Sequence, residues 1–326
     1  MSSPEKFLSI CIPTFNQPAA LETLLDALGS QLTSEVEILV CDDSTTPDVK
    51  AVVDKHLPKV PIRYFRGPGG GLDMAVINLV EQARGRYIWW IGDDMPLGSA
   101  VSDICEVLKQ NPKISFLWIN SADASDQSKL TLPSTGSYFF RDRDDILEKL
   151  DLGLLAFISA TIFKRELVIA GLSKASREVG TALTCMHIVL TAISYGEAYF
   201  YFGKPCFLSK PKPPGERRWY NQFQVFGINL PLALLSYKDI FGRNSVRTAI
   251  SRNLFLVLKA IVVERALGLE TGFGSMEPKI KRLFKVYSSY ISFYVFLPLL
   301  LLPRWLIRRA YLMYRALRLN FRSSRG

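Results

Sequence analysis

Four short apolar runs in the first hundred residues each break off into a polar or glycine-rich loop, and helical spacing follows each loop. The runs are 7–12, 36–41, 62–65 and 87–91, rich in β-branched and aromatic types, and the first is stopped by Pro13. Between them, 18–32 places Leu21, Leu24, Leu25, Leu28 and Leu32 at helical spacing, and 47–56, 72–84 and 97–110 read as helices before another strand at 114–119. This βαβα order predicts a doubly wound, mainly parallel sheet. In such a sheet the loops after the strands gather on one edge, where ligands bind. Thr14 and Asn16 follow the first strand, Asp42 and Asp43 the second, and the loop 66–71 the third; Asp93 and Asp94 follow the fourth, Tyr87-Ile88-Trp89-Trp90-Ile91-Gly92. Adjacent carboxylates at a strand end form a hard oxygen site suited to Mg²⁺ or Mn²⁺. Taken singly, Asp-Asp is also a good turn and helix cap; four polar loops on one edge favour a binding crevice.

Cysteine usage and charge narrow the class. The five cysteines, Cys11, Cys41, Cys105, Cys185 and Cys206, lack metal-type spacing and read as reduced cytosolic residues. The run 7–12 is too short for a signal peptide, and Glu5 precedes it. Net charge is +10, yet 279–326 alone holds eleven Lys or Arg and no Asp or Glu. The body is therefore close to neutral, which argues against nucleic acid. A basic tail interleaved with Trp, Tyr, Leu and Phe points to an anionic membrane surface.

The motifs resemble a known family. Ile10-Cys11-Ile12-Pro13-Thr14-Phe15-Asn16 and Val40-Cys41-Asp42-Asp43-Ser44 resemble the first and second strand motifs of family 2 glycosyltransferases of the GT-A, Rossmann-like type. Gly71, Ala75, Asn78, Ala83, Gly85, Tyr87 and Ile88 fall at that family's spacing before its aspartate motif, so the resemblance covers about 6–120. The Trp-Ile-Gly-Asp-Asp ending is similar to the abequosyltransferase-like branch of bacterial O-antigen assembly. The resemblance implies that Pro13, Thr14 and Asn16 border the nucleotide and that Asp42 or Asp43 contacts the base or ribose. It implies that Asp93 and Asp94 end the metal and donor-phosphate motif, although Ile91 stands where that motif has its first aspartate. Many members place a Glu-Asp base near 178–190; here no Glu-Asp occurs, and His187 and Glu178 are the nearby proton acceptors, His187 being equally readable as a partly buried helix residue.

Other segments are less legible. The glycine loop lacks Gly-Lys-Ser/Thr and reads mainly as a turn, with Arg66 at its edge a candidate for the diphosphate. The stretch 121–134 reads as a loop, 142–152 as a helix, 158–163 as a strand and 181–194 as a helix. A proline-rich loop leads to Arg217, Arg218 and Trp219, able to fork onto phosphate and stack on a sugar, or simply solvated. Helical patterns return at 222–236 and 245–267. The uncharged run 286–303 is flanked by basic residues on both sides and broken by Pro298 and Pro303, which disfavours crossing a bilayer. With 305–321 it reads as an in-plane amphipathic anchor, or else as a helical pair packed on the core.

The expectation is an α/β GT-A domain over 1–210, with a nucleotide-sugar half at about 6–120 and an acceptor half at about 121–210, then a helical membrane-associating region over 211–326 anchored by 279–326. It implies an inverting transferase. The donor is a nucleotide-diphosphate sugar, the acceptor a lipid-linked saccharide, and the place the cytoplasmic face of the inner membrane, held peripherally or monotopically. The rivals are a sugar-nucleotide nucleotidyltransferase, which would carry a Gly-rich signature where Pro13-Thr14-Phe15-Asn16 stands, and a non-catalytic nucleotide-binding scaffold.

Overall fold

The computed structural model describes residues 6–92, 94–209, 221–268 and 277–323. Asp93, Arg217, Arg218 and Trp219 lie outside the described residues. One compact unit is Met1–Pro211 with Tyr237–Gly242, and the other is Lys212–Ser236 with Arg243–Gly326.

The first unit is built on one sheet. Its strands are β1 (Lys6–Thr14), β2 (Val36–Asp42), β3 (Ile62–Arg66), β4 (Gly85–Trp90), β5 (Met95–Pro96), β6 (Ile114–Asp123), β7 (Asp126–Leu130), β8 (Tyr138–Phe139), β9 (Thr161–Lys164) and β10 (Ala198–Ser209). The order is β3-β2-β1-β4-β9-β6-β10-β5, with β7 on β6 and β8 on β10. The nucleotide half, β3 to β4, is parallel throughout, as the alternating pattern requires. Its strands are apolar on both faces because helices cover both sides. The helix Pro18–Gly29 buries Leu21, Leu24, Leu25 and Leu28, and the helix Ala100–Gln110 buries Val101, Ile104 and Leu108.

Beyond β4 the sheet becomes mixed. The segment expected as one strand at 158–163 is a 3₁₀ turn, Ile158–Ala160, followed by β9, which runs antiparallel to both β4 and β6. The Ser159 hydroxyl accepts the Gly92 N–H at 3.2 Å, and the Ser159 carbonyl accepts Trp89 Nε1–H at 2.9 Å. The chain thus enters β9 beside the exit of β4 and must run back along it. Trp89, Trp90, Trp118, Phe116 and Phe163 are fully buried here, with Trp90 and Phe163 edge to face at 4.8 Å.

Two local expectations are corrected. Pro13 does not stop β1, which pairs with β2 through Thr14↔Asp42. The Cys11 carbonyl accepts from Ile91 on the β4 side, so Pro13, two residues on, faces that side beyond the last pair, Cys11↔Trp90. No ladder bond is lost there. The stretch 121–134 is not a loop: β6 continues to Asp123 and folds back as β7. Asp123 Oδ1 accepts the Ser125 N–H at 2.7 Å, a local Asx turn that makes the reversal.

The second unit is helical: a π-helix Phe223–Asn229 running into Leu230–Leu235, a long helix Arg243–Leu267, then Glu277–Tyr287, Ile291–Leu301 and Arg304–Ser323. A π-turn leaves carbonyls poorly matched, and buried side chains satisfy them. Asn253 Nδ2 donates to Phe226 O at 2.8 Å and Tyr287 Oη donates to Gly227 O at 3.0 Å. Arg265 donates to the carbonyls of Leu300 and Leu302, capping the helix that Pro303 ends. No helix among the described residues is long and apolar enough to cross a membrane. The tail is neither free nor wholly packed. Leu283, Tyr287, Phe293, Leu300 and Ile307 are buried in this unit, whereas Ile291, Val295, Trp305, Leu312 and Met313 are exposed.

Candidate active site

The loops after β1, β2 and β3 are tied into one edge. Asp42, fully buried at the end of β2, accepts the Ser44 N–H on Oδ1 at 2.8 Å and Tyr64 Oη–H on Oδ2 at 2.8 Å. Arg66 meets the same Oδ2 at 3.3 Å and also donates to Ser44 O. Asn16, in the left-handed region at φ 52°, donates its N–H to Ser44 Oγ at 2.8 Å and accepts the Thr45 N–H at 2.9 Å. Asn tolerates that backbone because its short amide bonds locally. Asp43 is positioned by its own N–H, which reaches Thr14 O at 3.1 Å, and Asp43 Oδ1 accepts the Gly69 N–H at 3.2 Å. A Cβ on Gly67 would sit 1.9 Å from that oxygen, so a side chain there would push the Asp43 carboxylate aside. Asp43 Oδ2 is buried without a hydrogen-bond partner among the described residues.

This edge is strongly negative. Burial first, then Asp43 and Asp42, pushes the Cys41 thiol up to about 12. The Tyr64 phenol is likewise raised, by burial and by its bond to Asp42. Arg66, read from sequence as a diphosphate candidate, bonds Asp42 and Ser44 while its side chain stays exposed. The glycine loop turns through Gly69, Gly70 and Gly71, all at positive φ, and starts the helix Gly71–Gln82.

At the exit of β4, Ile91 and Gly92 are fixed by the Cys11 carbonyl and the Ser159 hydroxyl. Asp94 follows, buried, and β5 then pairs with β10. Asp94 therefore stands on the same edge as Asp42 and Asp43. No group of three metal-ligating side chains occurs among the described residues, which do not include Asp93.

The structure brings Glu178 and His187 together. His187 Nε2 lies 3.7 Å from Glu178 Oε2. They are not equivalent: His187 is 2% exposed, and the Glu178 side chain is 36% exposed. Burial holds the His187 pKa below its ordinary value; Glu178 opposes this and Lys174 adds to it. His187 Nδ1 and Thr184 Oγ1 are buried without partners among the described residues, while Tyr237 Oη donates to the His187 carbonyl at 3.0 Å.

One residue escaped the sequence reading. Asp73 is buried and bonds the backbone of 180–184, close to Glu178. Its signal was a lone carboxylate on the buried stripe of its helix, in line with Val76 and Val80.

Known proteins resemble this chain in sequence and in fold. The glycosyl transferase family 2 model matches residues 9–166. The GalNAc(5)-diNAcBac-PP-undecaprenol beta-1,3-glucosyltransferase of Campylobacter jejuni is 34% identical over 95 residues, 27% of this chain and 29% of that protein. Abequosyltransferase RfbV of Salmonella typhimurium is 26% identical over 176 residues, 49% of this chain and 53% of that protein. The chain thus spans about half or less of the length of these curated relatives. S. aureus TarS 1-349 in complex with UDP-GlcNAc shares the fold, with a TM-score of 0.63 and 14% identity over 87% of this chain and 81% of that one. Residues 9–166 are accordingly a glycosyl transferase family 2 domain, of the GT-A type.

Proposed function

We propose that this protein is an inverting glycosyltransferase of surface polysaccharide or O-antigen assembly. It moves one sugar from a nucleotide-diphosphate sugar to a lipid-linked saccharide at the cytoplasmic face of the inner membrane. The observation that carries this reading is the gathering of Asp42, Asp43 and Asp94 on one sheet edge, with an accessible Glu178 backed by His187 in the same unit.

Asp42 and Asp43, with Pro13, Thr14 and Asn16, bind the nucleoside; Asp43 Oδ2 is buried and has no hydrogen-bond partner among the described residues. Glu178 takes the proton from the acceptor hydroxyl. The acceptor oxygen bonds to the anomeric carbon as the bond from that carbon to the diphosphate oxygen breaks on the opposite face, so configuration inverts and nucleoside diphosphate leaves. His187, too buried to meet an acceptor, orients Glu178. A divalent cation, Mg²⁺ or Mn²⁺, would be held by Asp93 and Asp94 and would supply charge neutralisation for the leaving diphosphate.

Charge and apolar exposure support an anionic membrane surface as partner of the tail. Trp305, Leu312 and Met313 are exposed on the same helix as exposed Arg304, Arg308 and Arg309.

The test is a transfer assay with full-length protein, a panel of nucleotide-diphosphate sugars and a lipid-linked acceptor, preceded by a thermal-shift screen of nucleoside diphosphates with and without Mn²⁺. The expected result is nucleoside diphosphate release with a product of opposite anomeric configuration. Pyrophosphate release from a nucleoside triphosphate and sugar phosphate would favour the nucleotidyltransferase reading; nucleotide binding without turnover would favour the scaffold.

A further inference from the structure

Asp73 is 4% exposed and has no salt bridge among the described residues. Its carboxylate is satisfied by backbone: Oδ2 accepts the N–H of Gly180 at 2.8 Å and of Ala182 at 2.9 Å, and Oδ1 accepts the N–H of Thr184 at 3.0 Å. All three donors belong to one short stretch more than a hundred residues away in sequence. That stretch has a costly shape. Gly180 lies at φ 92° and Ala182 at φ 60°, a left-handed backbone that a Cβ disfavours. Such a conformation persists only where its surroundings over-determine it, and Asp73 supplies that determination. Thr184 also opens the helix Thr184–Tyr195, whose N-cap residue Leu183 makes no side-chain cap bond. Asp73 therefore caps this helix from another element, with its charge at the favourable end.

Glu178 is bracketed by what Asp73 holds. Its carbonyl accepts from Thr181 N at 3.1 Å and from Thr181 Oγ1 at 2.6 Å. Its carboxylate faces His187, in the first turn of the capped helix. Asp73 itself follows the glycine loop in the first turn of the helix that starts beyond β3. We propose that Asp73 is a positioning residue for transfer. Its carboxylate latches 180–184 to the donor edge of the sheet and so holds Glu178 where it takes the acceptor proton. This rests on reading Glu178 as the base.

The test uses full-length protein carrying Asp73→Asn, Glu178→Gln and both. Asparagine keeps the shape but turns an amide N–H₂ toward backbone donors. The expected kcat loss for Asp73→Asn is about tenfold to 10²-fold, the scale of a small misplacement. Donor KM and nucleoside diphosphate Kd should stay within about twofold, since Asp42 and Asp43 are untouched. Hydrogen exchange by mass spectrometry should rise in the peptide covering 178–186 and not across the sheet. In the Glu178→Gln background, Asp73→Asn should cost nothing further. Thr181→Val, a milder change to the same turn, should give the same signature at a few-fold. Additive losses, or unchanged kcat despite faster exchange at 178–186, overturn the positioning role. If exchange rises throughout the domain for Asp73→Asn and Thr181→Val loses no kcat, Asp73 is a folding residue and the proposal fails. If Glu178→Gln keeps its turnover, the base assignment falls first and the proposal with it; additivity in a slowed Glu178→Gln background removes only the latch.

Discussion

The donor edge and the segment 178–187 are built differently. At the donor edge, Asp42, Ser44, Asn16, Tyr64 and Arg66 satisfy one another across three loops. In 178–187 a strained backbone hangs on one buried carboxylate, and Thr184 Oγ1 and His187 Nδ1 have no partners among the described residues. That network, although Asp43 Oδ2 beside it has no partner among the described residues, is ordered before the ligand arrives, which suits binding. Strain and unmet polar groups concentrate where chemistry happens. The contrast teaches that affinity and turnover should separate cleanly by mutation.

The largest expected effect lies at the end of β4. Asp94→Ala should lower transfer by about 10³-fold with folding intact, and Asp93→Ala severely, if the two carboxylates after β4 answer the charge that develops on the diphosphate. Chelation should abolish transfer, and Mn²⁺ or Mg²⁺ should restore it. Near-normal turnover in both variants breaks the donor-edge assignment.

Next, Glu178→Gln should reduce kcat by about 10²-fold at unchanged donor KM, and His187→Ala by about tenfold with the same selectivity for kcat. A rise in donor KM in either variant would erase the distinction between the two regions. Conversely, Asp42→Asn should raise donor KM by about tenfold with kcat nearly kept, since it disrupts a buried charged network.

Reversing Arg308 and Arg309 to Glu should weaken binding to anionic vesicles by about tenfold or more and leave nucleotide binding alone, each charge being worth about 1 kcal/mol at such a surface. Point reversal is preferred to removing 279–326, because that truncation deletes the buried Leu283, Tyr287, Phe293 and Leu300 and should destabilise the helical unit. Equal binding to neutral vesicles would sink the electrostatic part.

The smallest effect is on stability. The folded His187 pKa is held below its ordinary value by burial, so the unfolded chain takes up the proton first as pH falls. Stability from this site is kept above about pH 6.5 and lost below it. Tm should fall from pH 7 to pH 5, and less steeply in His187→Gln. An unchanged slope would mean that His187 is charged or water-accessible when folded.

The order of residues alone made legible the strand-and-helix alternation, the parallel nucleotide half, and the placing of Asp42, Asp43 and Asp94 at strand ends. These follow from local periodicity and from chain breaks at glycine and aspartate, which any folded form must respect. It also determined the basic, aromatic character of the last helix. Packing across the whole sheet, by contrast, runs β9 backwards between β4 and β6, turns 121–130 back as a hairpin and sets Arg66 on Asp42. It alone buried His187 while leaving Glu178 in reach, and joined Asp73 to 180–184. Periodicity records whether a residue faces inward or outward; which distant partner it meets there depends on how the whole sheet and its helices pack.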